Sequence, residues 1–574
     1  MTGGSPSSPN LDALLREGLR RTGGRPALRW KRFGLWHPVS GDEASRHADA
    51  IAAGLRGLGL GPGDVVGVFA GNCVEWVLAD LGALRAGCVP AGYDAHCDAD
   101  ELRRLLGETK PRILFVEGER RLRLARRLRE AAPGLERIVL LRNDWGSASS
   151  GDVLALAELE KAAPAATQGT PHPAPAAANA PAIVVCTSGM TGPVRAVPLS
   201  HGAVYAQVAR AGDAFGLRAG DERLLLAPLH HVLERVTGVY AALASGVALN
   251  FPEGVDTALA DMAELQPSIV QAPPRLWATL RSGIELALKD ATPFQRRAVR
   301  AATGEGGAAP GFLADRLVRA PLRRRMGLDG ARLCLSVGAP CHPDLARWFA
   351  RLGVDLWDVY GTAEAGGAVA ATPLGLQAGP MRFLPGIEAS LGESGELRLR
   401  APDLGGDWIR TGDRAVGGEG GVVASRGRLA HGWSGPDGAF DPFEREQALR
   451  ASPYVADAFV SAGGDGALRA TILLDFEHVA RFAQDGGIPF THVRSLAEAA
   501  EVRALIDRLV ADVNRAFGAP TIESTHLFAR AVAMGDPELG PMMSLRRHRM
   551  GPPGRDAAPA HTQDVMVEAQ GERG

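Results

Sequence analysis

Short apolar runs alternate with longer amphipathic segments along most of the 574-residue chain. Residues 65–68, 113–116 and 183–185 are runs of mainly aliphatic side chains, as is typical of strands buried on both faces. Residues 43–60 place apolar side chains three and four positions apart, which predicts an amphipathic helix. Strands that alternate with helices in this way predict an α/β fold with a largely parallel sheet.

The pattern changes towards the C-terminus. Beyond about residue 425, glycine-rich sequence leads into a shorter series of elements, with a strand predicted at 468–476 and a helix at 498–517. Because the chain is too long for one hydrophobic core, we expect a large N-terminal domain and a second, smaller domain. Residues 162–181 and 551–574 lack apolar bulk and are predicted to be a flexible connection and a disordered tail.

Composition and charge exclude few functions. An apolar content of 46% and a charged content of 22% are ordinary for a globular enzyme. The net charge of −2 gives no reason to expect nucleic acid or an anionic surface as a partner. Arginines at 120–129 are predicted to form the solvated face of a helix, and residues 276–326 a helical, partly basic surface insertion.

The six cysteines show no metal-ligand spacing and lie in or beside apolar runs, so we expect buried free thiols in a reducing compartment. The chain does not open with a basic region and an apolar stretch, and no apolar run is long enough for a membrane helix. These features predict a cytoplasmic protein with at most peripheral membrane contact.

Hydroxyl-bearing residues and glycines are concentrated between the strand at 183–185 and a helix predicted to begin near Gly202. Such a loop can direct backbone N–H groups and hydroxyls at a phosphate, and glycine lets the backbone approach closely. An ordinary Ser/Gly/Thr turn is the alternative, and the Gly-Lys-Ser/Thr of a Walker loop is absent. The candidate phosphate ligands are Thr187, Ser188, Gly189, Thr191 and Gly192.

This loop and the Leu-Ser-His sequence at 199–201 resemble the phosphate loop of the adenylate-forming superfamily, which includes acyl-CoA synthetases, adenylation domains and luciferases. The family's loop reads Thr-Ser-Gly-Thr-Thr-Gly-x-Pro-Lys-Gly. The chain departs from it at Met190, Val194, Arg195 and Ala196. Arginine in place of lysine is background here, because only four of the 63 Lys and Arg residues are lysines.

Two further segments resemble the long-chain branch of the acyl-CoA synthetases. Residues 228–235 are similar to the segment that walls the acyl pocket in that branch, where His231 would lie near the substrate carboxylate. Residues 266–277 are also similar to that branch. The resemblance implies a fatty acid or a similar carboxylate as the substrate, with His231 as a catalytic residue.

Three motifs resemble the family's adenosine and metal site. Small residues at 338–340 would lie against adenine, and the Tyr-Gly-x-Thr/Ser-Glu signature falls at 360–364, with Ala363 in place of a hydroxyl residue. The resemblance implies that the tyrosine stacks on adenine, that Glu364 holds Mg²⁺ and that Asp413 accepts hydrogen bonds from the ribose hydroxyls. Besides the loop, it assigns nucleotide binding to Arg195, Gly338, Ala339, Pro340, Asp358, Tyr360, Gly361, Thr362, Asp413 and Arg428.

Residues 538–547 resemble the segment that carries the family's catalytic lysine, and the lysine position is Ser544. That lysine stabilises charge at the α-phosphate and carboxylate in the adenylation transition state. No lysine follows Lys289, so no shift of the alignment supplies one, and arginine is not an equivalent replacement. Losing such a donor costs roughly a hundredfold to a thousandfold in rate.

The resemblance covers about residues 10–550. It implies an α/β fold, with a large N-terminal adenylate-forming domain of layered sheets and helices and a small, mobile α+β C-terminal domain. The implied divisions are an AMP-binding domain at 1–427, a hinge at 428–431, the C-terminal domain at 432–550 and a tail at 551–574.

Three functions are consistent with these residues. The first is ATP-dependent activation of a long-chain fatty acid to acyl-AMP and then acyl-CoA, with ATP, Mg²⁺ and CoA as cofactors, impaired by the loss of the lysine. The second is a catalytically deficient protein that binds nucleotide or an acyl group as a regulatory or scaffold subunit. The third is an acyl-AMP ligase that loads an acyl carrier protein. None of them involves nucleic acid.

Overall fold

The computed structural model describes residues 9–142, 151–161, 176–190, 192–303, 312–375, 380–418, 421–435, 438–463, 466–530, 532, 536, 538–540 and 542–550. The chain divides into two compact units. The larger comprises Met1–Ala430 with Ala533–Ser544, and the smaller comprises His431–Val532 with Leu545–Gly574. The predicted tail at 551–574, most of the predicted connection at 162–181 and Thr191 lie outside the described residues.

Nineteen strands are described in the larger unit. They are β1 (Pro26–Arg32), β2 (Leu35–Ser40), β3 (Val65–Phe69), β4 (Val89–Tyr93), β5 (Ile113–Val116), β6 (Arg137–Leu140), β7 (Val153–Ala155), β8 (Pro181–Cys186), β9 (Ala196–Ser200), β10 (Glu222–Leu225), β11 (Ala248–Phe251), β12 (Ile269–Ala272), β13 (Leu333–Val337), β14 (Leu356–Thr362), β15 (Gly367–Pro373), β16 (Glu388–Leu391), β17 (Glu396–Arg400), β18 (Ile409–Gly418) and β19 (Gly421–Arg428).

The helices of the larger unit are α1 (Leu11–Thr22), α2 (Gly41–Gly57), α3 (Val74–Arg85), α4 (Ala99–Thr109), α5 (Glu119–Leu128), α6 (Leu156–Lys161), α7 (His201–Ala214), α8 (Ala241–Ser245), α9 (Ala258–Leu265), α10 (Pro274–Lys289), α11 (Pro293–Ala302), α12 (Phe312–Ala314), α13 (Ala320–Arg325) and α14 (Pro343–Arg351). Two π-helical stretches, Leu233–Tyr240 and Asp315–Arg319, lead into α8 and α13. Short 3-10 turns lie at Arg129–Ala131, Pro402–Leu404, Leu429–His431 and Arg547–Arg549.

Two large sheets organise this unit. One has the order β7-β6-β5-β3-β4-β8-β9 and is parallel except at β8–β9. The other has the order β15-β14-β13-β12-β10-β11-β1-β2 and is antiparallel only at β14–β15 and β1–β2. A third, antiparallel sheet is formed by β16 to β19. The predicted α/β fold with layered, largely parallel sheets is confirmed.

The smaller unit packs helices on a three-stranded sheet of order β22-β23-β24. Its core joins apolar residues of all three strands to Leu449, Val479 and Ile506 on its helices. The elements are β20 (Trp433–Gly435), β21 (Gly438–Phe440), α15 (Phe443–Arg450), β22 (Val455–Ala462), β23 (Leu468–Leu474), α16 (Phe476–Asp485), α17 (Val493–Glu498), α18 (Ala500–Phe517) and β24 (Ile522–Phe528).

Helix α2 shows how local chemistry fixes an element boundary. The helix was expected at 43–60, but it begins at Gly41 because Ser40 and Glu43 form a reciprocal capping box. It ends at Gly57, and Gly59, two residues further on, has a positive φ of 81°. The apolar face of the helix was therefore predicted correctly, and both ends were wrong by two or three residues.

The prediction that the cysteines are buried free thiols is also confirmed, since all six are buried and free. Within the part of the chain that the structure describes, no helix combines the length and apolar character that crossing a bilayer requires.

A buried ionic cluster connects the two large sheets. Arg235, in the π-helical stretch that follows β10, pairs with Asp80 on α3 and donates to the Tyr240 hydroxyl at 2.9 Å. It also donates to the carbonyl oxygens of Val184 on β8, at 3.0 Å, and Pro90 on β4, at 3.1 Å. Removing one partner of such a cluster leaves the other charge buried without compensation, which is costly.

We expect Arg235→Met to lower the free energy of unfolding of the larger unit by about 3–5 kcal/mol, because Asp80 would lose its counter-charge. Urea unfolding followed by tryptophan fluorescence measures this, and Trp76 lies 5.2 Å from the guanidinium as a local probe. The exposed Arg347, which pairs with Asp344 on α14, gives the matched control Arg347→Met. A loss for Arg235→Met no larger than that of the control would contradict this role.

Candidate active site

Tyr360 and Arg428 both contact the carboxylate of Asp413, although the three residues are separated in the sequence. The Tyr360 hydroxyl donates to Asp413 Oδ2 at 2.6 Å, and Arg428 Nε lies 3.1 Å from Asp413 Oδ1. Arg428 also donates through Nη1 to the carbonyl oxygen of Thr411 at 3.0 Å. Both carboxylate oxygens are therefore engaged, and each keeps a further lone pair with which it can accept from a ligand hydroxyl.

Backbone geometry holds this cluster in place. Asp413 on β18 pairs directly with Arg428 on β19. The Thr411 hydroxyl donates to the carbonyl of Leu397 at 2.7 Å and accepts from the Asp413 amide at 3.1 Å. Gly412 between them has a φ of 70°, in the left-handed region that favours glycine.

Glu364 lies in the turn between β14 and β15, near the Tyr360–Asp413–Arg428 cluster. Burial raises the pKa of Asp413 and the charge of Glu364 adds to that, whereas Arg428 and Tyr360 oppose it. Glu364 is half-buried and has no hydrogen-bond or ion-pair partner among the described residues.

An available carboxylate of this kind fits Mg²⁺, which is usually bound by one or two carboxylates together with substrate phosphates. Within the described ranges, no group of three or more His, Cys, Asp or Glu side chains could by itself hold a metal ion.

The turn that carries Glu364 is fixed from several sides. Gln207 on α7 donates to the carbonyl of Ala365, and the Thr362 hydroxyl accepts from the Ala365 amide at 3.1 Å. A Cβ at Gly361 would lie 2.2 Å from the carbonyl oxygen of Gly367, so the tight hairpin requires glycine there. Thr362 was predicted to bind nucleotide, and its buried hydroxyl serves this turn.

The candidate phosphate loop does not run directly from a strand to a helix as expected. It closes a hairpin, because the antiparallel strand β9 follows it and α7 begins only at His201. The Thr187 amide donates to the carbonyl of Arg195, and the Arg195 amide donates to Thr187 Oγ1, both at 2.9 Å. The loop therefore lacks a helix N-terminus at its end, and any anion binding depends on its own amides and hydroxyls.

The structure also describes four other candidate residues of the loop, which are Ser188, Gly189, Gly192 and Arg195. Gly189 is buried with a φ of 67°, and the space that a Cβ at Gly192 would take is open. Ser188 is half-buried, and the Arg195 side chain is exposed. Glu108 on α4 accepts from the Ala196 amide at 2.9 Å and so anchors the end of the loop.

His231 follows β10 in a segment that Asn72 clamps by hydrogen bonds to Ala227 and Leu229. Burial and, to a smaller extent, the neighbouring His230 lower the pKa of His231 to about 3, although Asp94 opposes the shift. The imidazole is therefore neutral at physiological pH, so it can donate one hydrogen bond to a carboxylate but cannot serve as its counter-charge.

The next two residues of the same motif have internal partners. Glu234 accepts from Arg223 at 2.6 Å and from Gln271 at 2.8 Å, and Arg235 belongs to the buried cluster described above. Leu233 packs closely against Gly361, because a Cβ built on Gly361 would lie 2.7 Å from Cδ2 of Leu233. The motif thus connects the acyl side of the predicted site to the adenosine side.

A contact that the sequence did not indicate lies at the predicted adenine wall. Gly338 follows β13 with a φ of 89°, and a Cβ built on it would lie 2.8 to 2.9 Å from the Cβ, Cγ and Cε of Met542. Met542 is buried in the main core of the larger unit. Ala339 and Pro340 are half-buried beside this contact.

Ser544 itself is half-buried in a tight turn. Its carbonyl oxygen accepts from the Gly540 amide at 2.8 Å, and Met543 has a positive φ of 58°. The structure groups Ala533–Ser544 with the larger unit, whereas the sequence division placed Ser544 in the C-terminal domain. Its hydroxyl is neutral and cannot replace an ammonium group.

Comparisons with known proteins identify the family of the chain. Residues 15–407 match the AMP-binding enzyme family. The chain belongs to this family. Long-chain-fatty-acid–CoA ligase FadD15 of Mycobacterium bovis is 26% identical to it over 551 residues, which cover 90% of each protein. The predicted resemblance to acyl-CoA synthetases of the adenylate-forming superfamily is confirmed.

Solved structures of AMP-binding enzymes share the fold. The anthranilate CoA ligase AuaEII in complex with anthranoyl-AMP superposes with a TM-score of 0.72 at 18% identity, over 95% of this chain and 97% of that one. The A-PCP didomain of carboxylic acid reductase from Segniliparus rugosus in complex with AMP gives 0.72 at 16% identity, over 98% and 82%. At these identities the likeness shows the fold alone.

Asp358 on β14, another of the predicted nucleotide-binding residues, is expected to make the free energy of unfolding depend on pH. Burial raises the pKa of Asp358 to about 7, and a backbone hydrogen bond from Cys341 offsets this only in part. Since the ordinary value is about 4, the folded state binds more protons than the unfolded state between about pH 4 and pH 7.

We therefore expect the free energy of unfolding to fall as the pH rises through that window, with a slope from Asp358 of at most about 1.4 kcal/mol per pH unit. Asp358→Asn should remove this contribution, and the exposed neighbour Asp355→Asn should not. Denaturant unfolding at several pH values measures both. Equal pH profiles for Asp358→Asn and the wild type would refute the assignment.

Proposed function

We propose that this AMP-binding enzyme activates a long-chain fatty acid with ATP, forming acyl-AMP and pyrophosphate, and then transfers the acyl group to CoA, with a slow first step. The observation that carries the proposal is the carboxylate of Asp413, positioned by Tyr360 and Arg428, with Glu364 nearby. The similarity to FadD15 supports the choice of substrate class.

Each part of the reaction has a candidate group in this chain. The remaining lone pairs of Asp413 accept the ribose hydroxyls, and Glu364 would hold the Mg²⁺ that neutralises phosphate charge. Amides of the loop from Thr187 and the hydroxyl of Ser188 would bind phosphate oxygens. The neutral His231 would orient the substrate carboxylate by a hydrogen bond.

The rate argument rests on Ser544. A transition state that gains charge at the α-phosphate needs a positioned donor, and losing one costs roughly 10² to 10³ in rate. Nearby arginines are committed elsewhere, since Arg547 pairs with the buried Glu446 at 2.6 Å and Arg546 is itself buried. We therefore propose that adenylation is slow because neither Arg546 nor Arg547 replaces the missing ammonium group.

A second function is favoured by the contact of Met542 with Gly338. In this alternative the protein binds nucleotide or an acyl group without completing the reaction. The Met542 side chain takes space on the face where the resemblance puts adenine, so nucleotide would have to displace it.

We expect ATP–pyrophosphate exchange with long-chain fatty acids to be measurable but slow in the wild type. Ser544→Lys should raise the exchange rate about 10² to 10³-fold by restoring the charged donor, and Ser544→Ala should leave the rate unchanged. A Ser544→Lys rate equal to the wild-type rate would contradict the assignment of this position. A wild-type rate as high as that expected for the lysine variant would contradict impairment.

The same assay separates the alternatives. Calorimetric binding of ATP without exchange in any variant would favour the non-catalytic function. Where exchange occurs, release of AMP on adding CoA or, in a parallel reaction, an acyl carrier protein identifies the acceptor.

We further expect Met542→Ala to raise the affinity for AMP severalfold, because it clears the face of Gly338, while lowering stability as a buried methionine truncation does. Calorimetric titration with AMP measures the affinity. Met326→Ala truncates an equally buried methionine in a separate apolar cluster and should lower stability without changing AMP affinity. Unchanged AMP affinity in Met542→Ala would refute the obstruction.

A further inference from the structure

The helical segment between 293 and 325 exposes an unusual number of large apolar side chains. Phe294 on α11 is 81% exposed and Phe312 on α12 is 76% exposed. Leu313 and Leu317, close to Phe312 in sequence, are 68% and 70% exposed. Isolated exposed leucines are common, but a group of two phenylalanines and two leucines within one surface insertion indicates an interaction site.

The same segment is strongly basic. It contains eight arginines and two acidic residues, a net charge of +6 in a chain whose net charge is −2. The total charge therefore conceals a local excess of positive charge. Five of these arginines have no acidic partner within the described ranges, namely Arg296, Arg297, Arg300, Arg316 and Arg325.

In the continuous helical stretch 312–325, one face is held against α14 and another is exposed to solvent. Arg319 and Arg323 pair with Asp315, and Arg323 donates to the carbonyl of Leu352 at 2.9 Å, which holds this stretch against α14. Residues 312, 313, 316 and 317 follow the spacing of one helix face and are all exposed. We call the exposed residues Phe294, Arg296, Arg297, Arg300, Phe312, Leu313, Arg316 and Leu317 the basic apolar face.

We propose that the basic apolar face docks on an anionic lipid bilayer. Aromatic and leucine side chains next to arginines are the combination that inserts at the headgroup boundary while the cations meet lipid phosphates. A nucleic acid would also attract the arginines and could stack a base on Phe312, but it offers no apolar layer in which Leu313 and Leu317 could be buried. The proposal is independent of catalysis, because it concerns a surface and not the site.

Helix α5 supplies an internal comparison. It also carries several exposed arginines, among them Arg120, Arg123 and Arg127, but its Leu122, Ala125 and Leu128 are buried. It therefore has positive charge without apolar side chains available for insertion. If charge alone caused membrane binding, neutralising α5 would weaken binding as much as neutralising α11.

Vesicle co-sedimentation of the full chain tests the proposal. Vesicles of one part phosphatidylglycerol to two parts phosphatidylcholine should bind the protein, phosphatidylcholine vesicles should bind it much more weakly, and added salt should weaken binding. R296Q/R297Q/R300Q removes positive charge from the basic apolar face, and F312S/L313S removes apolar side chains from it. R120Q/R123Q/R127Q is the charge-matched control on α5.

Both variants of the basic apolar face should lower the partition coefficient on anionic vesicles about tenfold or more, and the α5 control should change it by less than about threefold. Because all the substituted side chains are exposed, thermal unfolding should stay close to that of the wild type. Equal binding to neutral vesicles, no binding to anionic ones, or an equal loss in the α5 control would overturn the proposal. Binding to single-stranded RNA that exceeds vesicle binding and is unaffected by F312S/L313S would assign the face to nucleic acid instead.

Discussion

The guanidinium of Arg235 is the point on which the arrangement of the larger unit depends. It is fully buried and pairs with Asp80. It also donates to carbonyl oxygens on two neighbouring strands of one large sheet, although it belongs to the segment that follows a strand of the other. The same strand, β8, leads into the candidate phosphate loop, and His231 lies four residues before Arg235. One desolvated ion pair thus fixes the starting points of two site segments, at a cost that only complete hydrogen bonding offsets.

The site that these segments surround is uneven in its chemistry. On the proposed adenosine side, Tyr360, Asp413 and Arg428 form a complete hydrogen-bonded group. On the proposed phosphate side the loop closes a hairpin without a helix N-terminus, and Ser544 is at the position where the resemblance puts the lysine. At the adenine wall Met542 packs on Gly338. In the proposed function, recognition of adenosine and stabilisation of the reacting phosphate are therefore separate properties, and the first has the more complete set of groups.

The sequence correctly predicted the features that depend on periodicity and on motif spacing. The α/β fold, the buried cysteines and the adenylate-forming family are confirmed, because each depends on local pattern or on residues in register. Boundaries such as those of α2 were wrong because a capping box, and not the apolar stripe, fixes the first turn. The hairpin at β8–β9 was missed because Val197 and Leu199 are too few to separate a short strand from a loop. The Met542 contact joins residues 204 positions apart, and no local signal encodes such a distance.

The most direct test of this account compares the affinities of AMP and Mg-ATP for the wild-type protein by isothermal titration calorimetry. If recognition rests on the adenosine side, the two dissociation constants should agree within about tenfold, a difference of at most about 1.4 kcal/mol in binding free energy. Asp413→Ala should weaken both equally. Mg-ATP binding more than about a hundredfold tighter than AMP binding would mean that the phosphate side is intact, and it would contradict the account.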